Sequence, residues 1–533
     1  MNQAEVRRRQ VQMVSIILAL CNIVAVSRLA GYNGVTYVAV AVEVYGMIWT
    51  VVSGGLTGIL GRVLRLRNSK GQYKNAARMR RNALILQLVL GVAGSFAMLL
   101  GAGAAAGLFQ VQYSTLIIMI LAPSVLLRSL SAVLLGYFQG EGVELPAMAS
   151  GILRQLLIFG FSQLFCRMLG EYGRKVSHLL GQENFTSMYG GVGVAVAISL
   201  AELFIAFFLF LVYKGTGRSQ NRSQGQDNAR IGDSFMDSFR ILGAGRGIPM
   251  LIRLLAVLPV LLGLFFCSSL EDNAVACVEY GVYGAGYGVL CGIPAALILW
   301  ALIPVCGRTV GRLRREESRF ARTAFQGGLH IGVVHGAFAA VFLAVLAEPF
   351  GAALCPGQET VAAALLRGGA AVAVLIPLCV YFARFLMLIN KRMLVLIAMA
   401  VFDLVFLVLT RLFIGVGGVR ILGLVHAGMA GLGLLCVMLG AFCFMQLHLR
   451  ADWLHVLIIP AMAATAEGLL CLLLDKLLSP HMGKVILLVI CLAVSGTVYW
   501  TVLLLLRNFS EQELEHIPGG KLIFGLGQML NIY

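Results

Sequence analysis

"GYFQGEGVELPAMASGILRQLLIFGFSQLF" runs from Gly136 to Phe165, and "VYFARFLMLINKRMLVLIAMAVFDLVFLVLTRLF", Val380 to Phe413, has the same outline. In each, a Tyr-Phe pair (Tyr137-Phe138, Tyr381-Phe382) closes an apolar run, a short turn follows, and a new apolar run begins. The glycines of the first stretch permit a tight turn. Pro146 suits the first turn of the next helix, where its missing N–H costs nothing. Glu144 stands just ahead of that helix, near its positive dipole end. A second pair of segments matches in the same way. "VSGGLTGILGRVLRLRNSKGQYKNAARMRRNAL" (Val52 to Leu84) and "ILWALIPVCGRTVGRLRREESRFARTAFQGGL" (Ile298 to Leu329) each join two apolar runs through a basic loop. The chain therefore reads as two repeats in the same orientation, a transporter architecture.

Composition fixes the solvent. The 533 residues are 59% hydrophobic and 12% charged, about half the charge of a soluble domain. Such a chain cannot cover itself with a polar surface, so it is expected to be a polytopic membrane protein. The net charge of +17 sits in short loops between apolar runs. That pattern speaks to orientation rather than to nucleic acid. Twelve cysteines lie mostly in apolar runs without a C-x-x-C pair, so no zinc or redox signature appears. Cys267 and Cys277 flank an expected outer loop and could bridge, though free thiols are the favoured reading. The N-terminal run has a basic head but a poor cleavage site in "SRLAGYNG", which reads as a retained first span rather than a signal peptide.

Spans need about 20 residues each. Fourteen are expected, at 11-30, 36-60, 82-107, 113-136, 146-169, 191-213, 247-267, 282-305, 325-347, 360-388, 393-415, 418-446, 454-475 and 484-506. The fold class is thus all-α, with two parallel six-helix repeats forming a V-shaped pair of lobes and two extra C-terminal helices. The domains are an N-terminal lobe (1-213), a cytoplasmic linker (214-246), a C-terminal lobe (247-446), the two extra spans (447-506) and a cytoplasmic tail (507-533). In the linker, Ile231, Phe235, Phe239 and Leu242 recur at helical spacing opposite Asp233 and Asp237, which predicts a short helix on the inner membrane surface. Eight Lys/Arg fall within 62-81, six within 214-246 and six within 308-322, whereas 268-281 and 348-359 have none. With an even span count both termini face the cytoplasm.

No G-x-x-x-x-G-K-[ST] occurs, so ATP hydrolysis by this chain, a cofactor and an enzyme activity are not expected. "GVYGAGYG" (Gly281 to Gly288) reads as close helix packing through small residues. His330 and His335, five apart, are poorly spaced for a shared metal. The informative residues are charges inside spans, which cost about 2.5–3.5 kcal/mol each. Arg28, Arg154, Arg253, Arg367 and Arg384 lie near enough to span ends to snorkel. Glu43, Arg128, Glu202, Asp403 and Glu467 lie deeper, which favours buried pairs or a water-filled cavity. Arg28, Glu43, Arg128, Arg253 and Arg384 are the candidates to line a substrate cavity. Glu202, Asp403 and Glu467 are candidates for ion coupling or structural pairing. Arginine's planar fork binds phosphate and keeps its charge, so an arginine-lined cavity leans toward a phosphate-bearing substrate.

"VSRLAGYNGVTYVAV", "GQYKNAARMRRNALIL", "LLGYFQGEGVELPAMASGILRQ" and "YGVYGAGYGVLCGIPAALILWALIP", taken in order, resemble the multidrug/oligosaccharidyl-lipid/polysaccharide exporter superfamily. The resemblance is to its branch of polysaccharide flippases and stage V sporulation protein B, related to lipid II flippases, and covers most of the chain. It implies a flippase that moves a lipid-diphosphate-linked glycan or cell-wall precursor from the inner to the outer leaflet by alternating access, in a bacterial cytoplasmic membrane. Glycan-synthesis proteins are implied as candidate partners. By position, Arg28 matches the family arginine in SR-x-x-G, Arg253 falls in the seventh helix, and span 2 offers Glu43 in place of an arginine. The alternatives are a drug or cation exporter of the same fold coupled to Na⁺ or H⁺, and a transport-inactive scaffold for cell-wall or sporulation machinery.

Overall fold

The computed structural model describes residues 3–182, 184–220, 235–268, 273–414, 420–449 and 452–509. Among them it is built of helices without a strand, as a lipid-facing backbone requires. The elements are α1 (Gln3–Ser53), α2 (Leu56–Ser69), α3 (Tyr73–Leu108), α4 (Ser114–Gly140), α5 (Leu145–Leu180), α6 (Asn184–Gln220), α7 (Phe235–Ser268), α8 (Asn273–Val282), α9 (Val289–Arg314), α10 (Ser318–Val345), α11 (Ala347–Leu354), α12 (Glu359–Gly369), α13 (Val372–Leu388), α14 (Arg392–Phe413), α15 (Leu422–Leu447), α16 (Ile459–Leu478) and α17 (Lys484–Leu505). Twelve stretches among the described residues are long and apolar enough to cross a membrane, thirteen when α12 and α13 count as one bent span. Leu100 (82% exposed), Val437 and Leu469 turn outward, as side chains facing lipid do. This is a multi-pass membrane protein.

α1 is far too long for one crossing. Its 51 residues would reach about 77 Å at 1.5 Å per residue, against a hydrocarbon core of about 30 Å. Gly31, at φ 73° and ψ 174°, interrupts it. The left-handed backbone there suits only glycine, and it divides α1 into the first two expected spans, so the expected fourteen crossings are accounted for. A second break at Gly55 (φ 78°) separates α2. Gln87, fully buried, reaches across from α3 with its amide to the Val52 carbonyl that this break frees, and accepts from the Ser53 hydroxyl (2.8 Å). The bend of 49° between α12 and α13 is handled likewise: the Tyr287 hydroxyl donates to the Gly369 carbonyl at 3.0 Å.

The duplication is visible in the packing. α2, α3, α4, α5 and α6 make the pairings α2–α3, α2–α4, α3–α4, α4–α5, α4–α6 and α5–α6. α9, α10, α13, α14 and α15 make the same six pairings in the same order. The two Tyr-Phe pairs occupy matching positions on α4 and α13, and all four rings are buried. Tyr137 packs edge-on to Tyr213 beneath the Arg80 guanidinium. Tyr381 stacks near Phe325 and donates to its carbonyl at 3.2 Å. α16 and α17 pack on each other and on α10.

The chain divides into two compact units, Val14–Gly281 and Val282 onward with the residues up to Met13. α7, first span of the expected second lobe, packs on α2 and α3 within the former. The expected surface helix is corrected. Phe235 and Leu242 lie in the first turns of α7, which continues without a stop to Ser268. Leu242 is fully buried and the Asn82 amide donates to Ser238 at 2.9 Å, so one face of this turn packs on α3, whereas Phe239 is exposed. Ile231 and Asp233, with the linker from 221 to 234, lie outside the described residues, as does the tail from 510. The expected outer loop 348-359 is largely helical, in α11. Hydropathy marks where helices leave lipid, not where they end. Cys267 and Cys277 are buried free thiols.

Gly193 tests the tightness of α5 on α6. A Cβ there would stand 2.6 Å from the backbone of Phe165 and Cys166. Gly193→Ala is expected to destabilise the protein by about 1–3 kcal/mol, read as a lower melting midpoint in detergent. Gly103→Ala, with open space around it, should leave the midpoint unchanged or slightly higher.

Candidate functional site

The site grows from one carboxylate. Glu202, midway along α6, is completely buried. Arg154 of α5 brings its Nε to 3.1 Å from Oε1, and Arg128 of α4 brings Nη1 to 3.7 Å. Both are ion-pair contacts rather than aligned hydrogen bonds. Ser124 and Ser199 bond at 2.9 Å alongside, tying α4 to α6. Three helices thus converge on a charge that could not be left alone in this medium.

Arg128 does more than pair. Its guanidinium lies over the Trp49 ring at 4.3 Å and near the Tyr45 ring at 5.7 Å. It also reaches the Tyr45 hydroxyl at 3.4 Å. An arginine held on ring faces keeps its plane and its charge while losing water. Its side chain is still 31% exposed, whereas that of Glu202 is 1% exposed. The carboxylate anchors the cluster from behind, and Arg128 presents its charge outward. Glu202 balances one of the two arginines, so the cluster is one positive charge in excess. Arg253, exposed on α7, lies within electrostatic range of Arg128 and adds another. Arg246, also on α7, donates to the Val51 carbonyl near the α1–α2 break.

Of the residues expected from the sequence, Arg128 and Glu202 are joined directly and Arg253 comes into range of them. Arg154, read as snorkelling, is instead the nearer partner of Glu202. Arg28 is exposed and Glu43 half-buried on α1. Arg384 is half-buried on α13. Asp403 on α14 and Glu467 on α16 are buried, and none of their carboxylate oxygens has a hydrogen-bond partner among the described residues. Arg367 pairs at the surface with Glu348. His335 Nδ1 donates to the Ile331 carbonyl of its own helix (2.9 Å). Among the described residues no group of three His, Cys, Asp or Glu is placed to hold a metal. The Tyr45 and Trp49 platform was missed by sequence reading; its signal was an i, i+4 aromatic pair on the helix that also carries Glu43.

No family model matches the chain, and no curated protein matches it either. Solved structures do. The inward-facing conformation of a multidrug resistance MATE family transporter of the MOP superfamily aligns with a TM-score of 0.62 at 16% identity, over 84% of this chain and 98% of that one. The lipid II flippase MurJ in an inward closed conformation aligns with a TM-score of 0.63 at 12% identity, over 92% and 96%. A MATE protein in complex with MaD3S aligns with a TM-score of 0.56 at 17% identity, over 83% and 96%. The chain shares the fold of these transporter structures.

Removing the central carboxylate should show what holds the cluster. Glu202→Gln leaves two arginines facing each other and is expected to destabilise the protein by about 3–5 kcal/mol. Adding Arg154→Met should recover part of the loss. Melting midpoints of the single and double variants in one detergent check this.

Proposed function

We propose that the protein is a flippase that moves a lipid-linked glycan carrying a diphosphate from one leaflet to the other. The observation that carries this reading is the surplus positive charge of Arg128, Arg154 and Glu202, with Arg253 in range. Arginine forks match phosphate oxygens two at a time, and such charge-assisted bonds are the strong ones. A platform of Tyr45 and Trp49 behind Arg128 keeps the fork fixed, so little conformational freedom is lost on binding. The shared fold supports the reading, because one neighbour bears the name lipid II flippase and the packing repeats in two halves. Repeats of this kind act by alternating access, each half rocking around a site near the bilayer midplane. The membrane is the bacterial cytoplasmic one in this reading, with both termini inside.

A second reading rests on Asp403 and Glu467. Buried acids without a partner suit a cation-coupled exporter, and one neighbour bears the name multidrug resistance transporter. The flippase reading is preferred because two arginines against one carboxylate leave a surplus of positive charge, which suits an anionic cargo rather than a cation.

In vesicles containing the purified protein, a fluorescent lipid-diphosphate-sugar should become accessible in the opposite leaflet. Arg128→Gln and Arg253→Ala should each slow this about tenfold or more, the weight of one charge-assisted contact. Vesicles that leave the lipid in place but extrude a cationic dye along an imposed Na⁺ or H⁺ gradient would support the exporter instead.

A further inference from the structure

The two helices outside the repeats build a second polar site. Where α16 and α17 meet α10, a cavity of about 380 Å³ opens. It is lined at helix ends: Phe444 near the end of α15, Asp452 and His455 ahead of α16, and Arg507 and Asn508 just past α17. His330, on α10, forms its floor. None of these residues belongs to the Glu202 cluster, so the site stands apart from the transport reading.

The polar atoms here are arranged, not scattered. The His330 Nε2 and the Asn508 amide nitrogen are 2.8 Å apart, and both side chains are more than nine-tenths buried. The Asn508 amide oxygen has no hydrogen-bond partner among the described residues. Phe509 stacks on the His330 ring at 4.5 Å, fixing the imidazole's plane. His455 Nδ1 is bonded to Asp452 Oδ2 at 2.7 Å, which leaves Nε2 for the cavity. That bond holds the Asp452 carboxyl below the usual carboxylate range, so Asp452 stays charged. Arg507 takes the left-handed position that ends α17 (φ 49°), where glycine is the cheaper residue. Among the described residues its guanidinium is matched by no hydrogen bond or ion pair.

The cavity lies at a membrane boundary. Trp453, 58% exposed, stands where an interfacial aromatic is expected. Leu454, Leu457 and Leu505 beside it are exposed apolar residues at the ends of two membrane helices. Lipid phosphates sit at this level, and the Lys/Arg distribution of the loops assigns the boundary to the inner leaflet.

We propose that this cavity binds a phosphate group presented at the inner membrane boundary, with Arg507 as the charged fork, His455 as a second donor, and the His330–Asn508 pair as the polar floor. The phosphate can arrive as the headgroup of an anionic lipid or as a free anion. A regulatory role follows from position: a ligand here ties the C-terminal helices to α10, a member of the second repeat.

The test uses the full-length protein in a nonionic sugar detergent, titrated by calorimetry with short-chain phosphatidylglycerol and, separately, with inorganic phosphate. Saturable binding of at least one probe is expected. Arg507→Gln should weaken it about tenfold or more, His455→Ala should also weaken it, and Arg507→Lys should restore part. Arg367→Gln, at a surface pair elsewhere, should not change it. Tighter binding of the lipid than of phosphate would mark a headgroup site, and equal binding a free-anion site. The proposal is overturned if neither probe binds saturably, or if Arg507→Gln, monodisperse and folded, binds both within twofold of the unaltered protein. Arg507 is exposed, so its variants should fold even if His455→Ala does not.

Discussion

A carboxylate sealed inside a membrane protein must meet a cation, and Glu202 meets two. Desolvation alone would cost several kcal/mol, so the contacts to Arg154 and Arg128 are conditions for α4, α5 and α6 to pack as they do. The same constraint shapes what the site offers. Two arginines against one carboxylate leave a positive excess, and burial of Glu202 behind Arg128 directs that excess outward. The aromatic faces of Tyr45 and Trp49 then hold the exposed guanidinium in place. Structural necessity and the anion binding proposed above would come from one arrangement.

Much of the fold was legible because bilayers leave few options. Apolar run length predicted the crossings, and the Tyr-Phe echo predicted a duplication that reappears as six matching helix pairings. What hydropathy misplaced were helix ends. α5 runs to Leu180 and α7 begins by Phe235, because helical hydrogen bonding continues into water wherever neighbours or caps support it. Gly31 shows the opposite limit. A single left-handed glycine divides α1 between the expected spans 11-30 and 36-60, although the helix is otherwise continuous.

The site was legible by residue type and not by partnership. Cost identified Arg128 and Glu202, since charges at mid-span need a reason. Arg154 looked free to snorkel because sequence distance from a span end says nothing about a neighbour on α6. Tyr45 and Trp49 carried no charge to draw attention. Asp452, His455 and Asn508 lie at chain positions where polar residues are ordinary, and only the meeting of α10 with the ends of α16 and α17 makes them a cluster.

The central claim is that fixed positive charge in the membrane interior selects the cargo. It is tested most directly by charge selectivity in one preparation. Vesicles bearing the protein would be offered lipids of equal chain length carrying a diphosphate-sugar, a monophosphate-sugar, or an uncharged sugar, and leaflet exchange would be followed for each. The account predicts that rates fall in that order, with the uncharged lipid near the protein-free background. Equal rates for all three, or fastest exchange of the uncharged lipid, would contradict it.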